Sequence, residues 1–286
     1  MIPIRDYNPT TRTPYVTIAL IASCILVFIW QLSLDPRSSD VMVRQFGFIP
    51  ALLFGQATWA DGMGLIPSWT TLITSMFLHG GIMHLAGNML YLWIFGNNIE
   101  DVMGHTRFLA FYLLCGLIAA MAQALPDTAS TIPMIGASGA ISGVLGAYLV
   151  LFPKAQVQVI IPIGFFIMRT LSAGWLLGFW IAFQVISGLA SDPSGGGVAW
   201  WAHVGGFVAG MALVHLFRQG DINAPSDPGL PSARAPTRPT GRSRIPDSSK
   251  ESSRPPQRSR GAEPPPLPER PTVQRRRDPP TGTGRG

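Results

Sequence analysis

The sequence predicts an all-α membrane protein with six transmembrane helices, followed by a disordered tail. Three observations lead to this fold class. Only 13% of the 286 residues are charged and 47% are hydrophobic, whereas soluble domains carry about 25% charged residues. Six apolar runs approach the roughly 20 residues that a helix needs to cross a bilayer. From residue 219 onward the composition changes to mainly Pro, Arg, Ser and Gly.

The six apolar runs end at Gly, Pro or polar residues. They cover 15–34, 79–95, 108–125, 138–152, 171–189 and 200–217. Several are short, which is tolerable where neighbouring helices bury them. The first run follows Arg5 and Arg12 but is long for the core of a signal peptide, and Asp35-Pro36-Arg37 does not resemble a cleavage site. We therefore expect this run to be an uncleaved anchor.

The basic residues of the short loops predict the orientation, because Lys and Arg favour the cytoplasmic side. A cytoplasmic N-terminal segment 1–14 leaves only Arg37 and Arg44 outside, in a long first external loop at 35–78. The basic residues then placed inside are Arg5, Arg12, Arg107, Lys154, Arg169 and Arg218. We expect an integral protein of the bacterial plasma membrane, with both termini in the cytoplasm.

The net charge of +6 belongs to the tail. Residues 1–218 hold eight basic and eight acidic residues, whereas residues 219–286 hold 13 basic and seven acidic. The membrane domain, 15–218, therefore lacks the basic surface of a nucleic-acid-binding domain. The tail has too few large apolar residues to fold, so we expect it to be disordered. Its prolines 264–266 favour an extended conformation that a cytosolic partner can bind.

Four polar residues of the apolar runs are candidates for a functional site, since ionisable groups in a membrane are costly and usually functional. His84 and Asn88 lie four residues apart and so share one face of the second helix. Ser138 begins the fourth helix, and His203 lies about one turn into the sixth. These three helices run in the same direction in the predicted topology. We therefore expect all four side chains at a similar depth, just below the outer surface.

These residue types suit the hydrolysis of a peptide bond. His203 can take the proton of the Ser138 hydroxyl, which is a weak nucleophile without a base. The oxyanion that forms needs preorganised donors. The Ser138 backbone N–H and the side chains of His84 and Asn88 can supply them. No carboxylate of the predicted helices lies at this depth, so we expect a Ser–His dyad rather than a triad.

Each of these features also has a simpler explanation. Small residues such as those of GASG at 136–139 are common where membrane helices pack closely. A lone membrane histidine can donate a hydrogen bond to a backbone carbonyl. His79, His84 and His203 can be considered as metal ligands. Their spacing is irregular and no H-E-x-x-H sequence is present, so we expect no metal and no cofactor. The combination of polar residues, rather than any one of them, favours catalysis.

Three segments resemble the signatures of the rhomboid family of intramembrane serine proteases. They are HGGIMHLAGN at 79–88, GASG at 136–139 and AHVGGFVAG at 202–210. They match the patterns H-x-x-x-N, G-x-S-G and A-H-x-x-G-x-x-x-G of that family, in its order and on its second, fourth and sixth helices. The segment GNNIE at 96–100 also resembles its G-x-x-x-E sequence.

The resemblance implies the six-helix rhomboid fold and intramembrane proteolysis without a cofactor. It implies that Ser138 is the nucleophile and His203 its base, and that His84, Asn88 and the Ser138 N–H form the oxyanion hole. The substrates would be single-pass membrane proteins whose helices are unstable near the cut. The alternative is an inactive relative that binds transmembrane segments without cutting them.

Two positions depart from the family pattern. Trp69 is followed by threonine, where many members carry arginine. Ser142 stands four residues after the nucleophile, where many members carry an aromatic that stacks on the catalytic histidine. We expect another side chain to pack against that histidine, with Trp200 and Trp201 as the candidates.

Overall fold

Helices make up most of the chain that the computed structural model describes, which comprises residues 1–163, 165–191 and 197–219. In chain order the α-helices are α1 (Tyr15–Ser33), α2 (Pro36–Phe46), α3 (Pro50–Leu53), α4 (Thr71–Thr74), α5 (Ile82–Met103), α6 (His105–Ala124), α7 (Ser138–Leu151), α8 (Ala173–Ala190) and α9 (Trp200–Phe217). Single 3₁₀ turns at Ser68–Thr70 and Ser75–Phe77 flank α4. The predicted disordered tail, with its prolines 264–266, lies outside the described residues except for Gln219.

Four helices, α1, α6, α8 and α9, are long and apolar enough to cross a membrane. All six predicted runs are helical, but α7 is an apolar helix of only 14 residues. The predicted end of the second run, at residue 95, is wrong, since α5 continues to Met103. Its last turns carry polar residues, such as Asn98 and Glu100, that are buried against neighbouring segments. An apolar run therefore underestimates the length of this helix.

The expectation of an all-α fold is wrong in one respect, because the chain also forms a three-stranded antiparallel sheet. β1 (Ile2–Asp6) pairs with β2 (Gln156–Ile163), which in turn pairs with β3 (Phe165–Ser172). Val157 and Val159 of β2 are fully buried, with the two-residue period of a strand. The Tyr148 hydroxyl of α7 donates a hydrogen bond of 2.9 Å to Asp6 and so attaches β1 to the helices.

The helix that begins at Ser138, α7, is enclosed by its neighbours α5, α6 and α9. Ten of its residues are buried. A Cβ atom added at Gly206 or Gly210 of α9 would collide with the carbonyl oxygens of Gly139 or Gly143 of α7. Such close approach through glycine is typical of packed membrane helices. It fixes the separation of α7 and α9 at the ends where Ser138 and His203 lie.

A buried carboxylate of α5 caps the beginning of α1. The first N–H groups of a helix have no partner within the helix, and Pro14, which precedes α1, makes no capping bond. Glu100 instead accepts hydrogen bonds from the Val16 and Thr17 backbone N–H groups, at 2.9 and 2.8 Å, and from the Thr17 hydroxyl at 2.7 Å. His105 Nδ1 lies 2.6 Å from the same carboxylate. Glu100 thus serves to hold α1 against α5.

We expect Glu100→Ala to lower the free energy of unfolding by about 2–6 kcal/mol. The substitution leaves one buried and one partly buried N–H group of α1 without acceptors, and each costs about 1–3 kcal/mol. Unfolding in mixed detergent and SDS micelles measures the change. The control is Asp40→Ala, which removes an exposed carboxylate 2.9 Å from Arg44 Nε and should cost about 0–1 kcal/mol. Equal losses in the two variants would contradict the capping role.

Candidate active site

The four polar residues predicted to share one depth line a single cavity of about 700 Å³. Ser138, His203, His84 and Asn88 come to it from α7, α9 and α5. The larger apolar side chains of its wall include Met83, Tyr91, Ile141, Leu145, Trp180 and Trp200. The structure therefore brings these polar groups together in one mainly apolar cavity, while their chemical roles stay predictions.

A glycine turn places Ser138 beside His84. Gly136, two residues ahead of α7, has a φ of +123°, a conformation that favours glycine. Its N–H donates to the Ser75 carbonyl oxygen at 2.9 Å. A Cβ atom at Gly136 would lie 2.8 Å from Cε1 and Nε2 of His84 and 3.7 Å from the Ser138 hydroxyl oxygen. Position 136 therefore requires glycine, because a side chain there would collide with the His84 imidazole.

The geometry around His84 determines which ring nitrogen carries its proton. The Gly80 backbone N–H donates to His84 Nδ1 at 3.3 Å. A nitrogen that accepts a hydrogen bond in neutral imidazole bears no proton, so the proton lies on Nε2. Nε2 and its neighbour Cε1 are the ring atoms nearest to Gly136. His84 therefore presents an N–H donor towards the beginning of α7.

His79 packs against the ring of His84. The His79 ring is buried and packs edge-to-face on the His84 ring, with the centroids 5.2 Å apart. Gln31 of α1 holds the His79 peptide from both sides, because it accepts from the backbone N–H at 3.0 Å and donates to the carbonyl oxygen at 3.2 Å. These bonds fix the segment that enters α5 just ahead of the cavity.

Asn88 lies one turn after His84 and is almost fully buried. Its Nδ2 atom is enclosed and has no hydrogen-bond partner within the described part of the chain. Buried polar atoms are nearly always hydrogen-bonded, and an unpaired one calls for an explanation. Asn88 also lines the cavity, so its amide lies close to any group that enters there.

The imidazole of His203 is held by α8. Gln184 Oε1 lies 2.7 Å from His203 Nδ1, and Trp180 packs on the ring with a centroid separation of 5.8 Å. Trp200 also contacts it, at 6.4 Å, so this candidate is confirmed. The ring contacts of the described residues do not include one between His203 and Trp201.

Ser142, at the position where many family members carry an aromatic residue, forms a hydrogen bond within its own helix. The Ser142 hydroxyl donates to the Ser138 carbonyl oxygen at 2.6 Å. Among the described residues no hydrogen bond joins the Ser138 hydroxyl to His203, although both line the cavity. Catalytic hydrogen bonds are often long in structures without substrate and shorten when substrate binds.

Sequence reasoning missed Gln184 and Trp180. The two residues lie four positions apart, on one face of α8. Gln184 is the one amide side chain in the apolar run 171–189. That isolated polar residue was the signal that could have identified it.

The motif residues all lie within a single family match. The family model for the rhomboid domain matches residues 67–220, which is more than half of the chain. The chain belongs to the rhomboid family. Rhomboid proteins are integral to membranes, and the family includes intramembrane serine proteases.

Bacterial and mitochondrial rhomboid proteins are similar to this chain. Rhomboid protease GluP of Bacillus subtilis (strain 168) is 37% identical over 145 residues, 51% of this chain and 26% of that protein. The human presenilin-associated rhomboid-like protein, mitochondrial, is 30% identical over 203 residues, 68% and 46% of the two chains. Rhomboid protein 1, mitochondrial, of Saccharomyces cerevisiae is 30% identical over 156 residues, 51% and 41%. The chain thus spans between about a quarter and a half of these relatives.

One of the two departures from the rhomboid sequence pattern lies away from the cavity. Trp69 is followed by threonine, where many members carry arginine. It is exposed in the 3₁₀ turn that precedes α4 and does not line the cavity. The other departure, Ser142, lines the cavity itself. The packing that an aromatic would supply at this position comes from Trp180 of the neighbouring helix.

Proposed function

We propose that this rhomboid protein is an intramembrane serine endopeptidase, which hydrolyses peptide bonds in or near the transmembrane segments of membrane proteins. One observation carries the proposal: a single cavity is lined by a serine at a helix start, an oriented imidazole and a buried amide that has no partner in the described chain. These are the parts that acyl transfer needs.

In the proposed reaction the Ser138 hydroxyl oxygen attacks the carbonyl carbon of the scissile bond. His203 takes the hydroxyl proton on Nε2, because its Nδ1 faces Gln184 Oε1. The imidazolium then gives this proton to the leaving nitrogen as the C–N bond breaks. Water attacks the resulting ester with the same base, which releases the acid and restores the Ser138 hydroxyl.

Three donors are positioned to stabilise the oxyanion. The Ser138 backbone N–H lies at the start of α7, where N–H groups lack helix partners. His84 presents its Nε2–H towards Gly136, next to the nucleophile. Asn88 contributes the unpaired Nδ2. Because the start of α7 and the His84 ring are held before substrate binds, these two donors need little reorganisation as the negative charge develops.

The substrate class follows from the surroundings of the cavity. The site lies among helices of membrane-spanning character, and its wall is mainly apolar. A substrate carbonyl within a regular helix is already hydrogen-bonded, so the cut segment must be extended at the reacting bond. We propose that the substrates are single-pass membrane proteins whose helices are unstable near the cut.

We further propose a membrane domain at 15–218 in which six helices cross the bilayer, with both termini and the 219–286 tail in the cytoplasm. The 14 residues of α7 give a length of about 21 Å, shorter than the roughly 30 Å of hydrocarbon. Its burial among α5, α6 and α9 supports the crossing, since neighbours rather than α7 face the lipid. The 22 residues of α5 reach about 33 Å.

The proposed orientation predicts which loops react with a membrane-impermeant maleimide in intact bacterial cells. A cysteine at Ser38, in α2 of the external segment 35–78, should be labelled from outside. A cysteine at Lys154, between α7 and β2, should be labelled only after permeabilisation. The native Cys24 and Cys115 are buried and serve as the unlabelled background. The reverse labelling pattern would contradict the orientation.

Reconstituted wild-type protein should cleave a single-pass reporter substrate in liposomes. Ser138→Ala and His203→Ala should each lower the cleavage rate at least about 10³-fold, because each removes a reacting group. The matched controls are Ser23→Ala, a half-buried serine of α1, and His215→Ala, near the other end of α9. Both should cleave like the wild type.

Two outcomes of this experiment would contradict the proposal. Substantial cleavage by purified Ser138→Ala protein would exclude this serine as nucleophile. Wild-type protein that binds the reporter without cutting it would identify an inactive relative that captures transmembrane segments.

A further inference from the structure

We propose that Gln184 is a positioning residue for the catalytic base. Its side-chain oxygen holds the Nδ1–H of His203 and thereby leaves Nε2 free to take the Ser138 proton. The inference rests on the proposed function, which it extends by assigning a role to a residue of α8.

The contact itself is short and enclosed. Gln184 Oε1 and His203 Nδ1 lie 2.7 Å apart, and Gln184 is only 5% exposed. An amide oxygen accepts hydrogen bonds and cannot donate them, so the shared proton belongs to Nδ1. The neutral ring then carries its lone pair on Nε2. That tautomer is the one a general base needs if Nε2 faces the nucleophile.

An amide is suited to this task inside a membrane. In a serine triad a carboxylate holds the corresponding nitrogen of the histidine. Among the described residues, His203 makes no hydrogen bond or ion pair with an Asp or Glu. A carboxylate at this depth would carry a costly charge in an apolar medium. The amide oxygen orients the ring without adding charge.

The other residues of α8 indicate that Gln184 is not simply a polar residue in contact with solvent. Trp180, one turn earlier on the same face, packs on His203 and on Phe207. The opposite side of the helix is apolar and exposed, at Trp175, Phe179, Phe183, Ile186 and Leu189. The stacking of Trp180 limits the tilt of the His203 ring, and the Gln184 bond limits its rotation.

The rival explanation is that Gln184 only joins α8 to α9, since polar side chains often bond between membrane helices. Two variants separate the explanations. Gln184→Glu keeps an acceptor at the same position, whereas Gln184→Met keeps the approximate size and flexibility without a strong acceptor. A positioning role predicts rescue by glutamate, and a packing role does not require it.

The first measurement is cleavage of the reporter substrate in liposomes. Gln184→Met should lower kcat roughly 10- to 100-fold, as loss of a partner that orients a functional histidine commonly does, with KM changed by less than about twofold. Gln184→Glu should keep kcat within about fivefold of the wild type. A Gln184→Met protein with wild-type kcat would overturn the inference.

The second measurement does not depend on cleavage. The ¹⁵N NMR spectrum of histidine-labelled protein in micelles at pH 8 reports which ring nitrogen is protonated, and His203→Ala assigns the signal. Wild-type His203 should be protonated on Nδ1, and Gln184→Met should shift the population towards Nε2–H. A wild-type ring protonated on Nε2, or a tautomer unchanged in Gln184→Met, would overturn the inference.

The two measurements separate failure of this inference from failure of the proposed function. Wild-type protein that is protonated on Nδ1 but never cleaves would contradict the protease proposal and leave the Gln184 contact established. Wild-type protein that cleaves with an Nε2–H tautomer would support the protease proposal and exclude Gln184 as the residue that positions the base.

Discussion

The close contact between α7 and α9 is the constraint on which the site depends. A Cβ atom added at Gly206 or Gly210 of α9 would collide with the carbonyl oxygen of Gly139 or Gly143 of α7, and one added at Gly146 of α7 would collide with the carbonyl oxygen of Phe207 of α9. No side chain separates the two helices there, so their relative depth has little freedom. Ser138 and His203 lie at the beginnings of these helices. A seam of small residues thus places the proposed nucleophile and base in the same layer.

The polar side chains around this seam are held individually, because a free polar group is costly in an apolar interior. Gln31 holds the His79 peptide, Gly80 bonds His84 Nδ1, and Gln184 bonds His203 Nδ1. Asn88 Nδ2 lacks a partner in the described chain, and Asn88 lines the cavity. These contacts therefore hold the proposed base, His203, and one of the proposed donors, His84, before any substrate enters. Preorganisation of this kind is usually the largest single contribution to stabilising an oxyanion.

Sequence reasoning located the helices and the shared cavity, because apolar length and the depth of polar residues are local properties. It could not find the sheet, since an eight-residue strand such as β2 is hidden among apolar runs when helices of about 20 residues are sought. It ended α5 too early, because Asn98 and Glu100 look solvated until their burial is known. It missed Gln184 and Trp180 because the face that α8 turns towards His203 depends on tertiary packing. The roles of Ser138 and His203 and the orientation in the membrane stay predictions.

The most direct test is whether Ser138 is a nucleophile that His203 activates. A fluorophosphonate forms a stable covalent bond with an activated serine, and peptide mass spectrometry identifies the modified residue. We predict a single adduct on Ser138 in the wild-type protein in micelles, and labelling at least about tenfold slower in His203→Ala, because the base is lost. An adduct on a different serine, no adduct at all, or equal labelling rates in the two proteins would contradict the dyad.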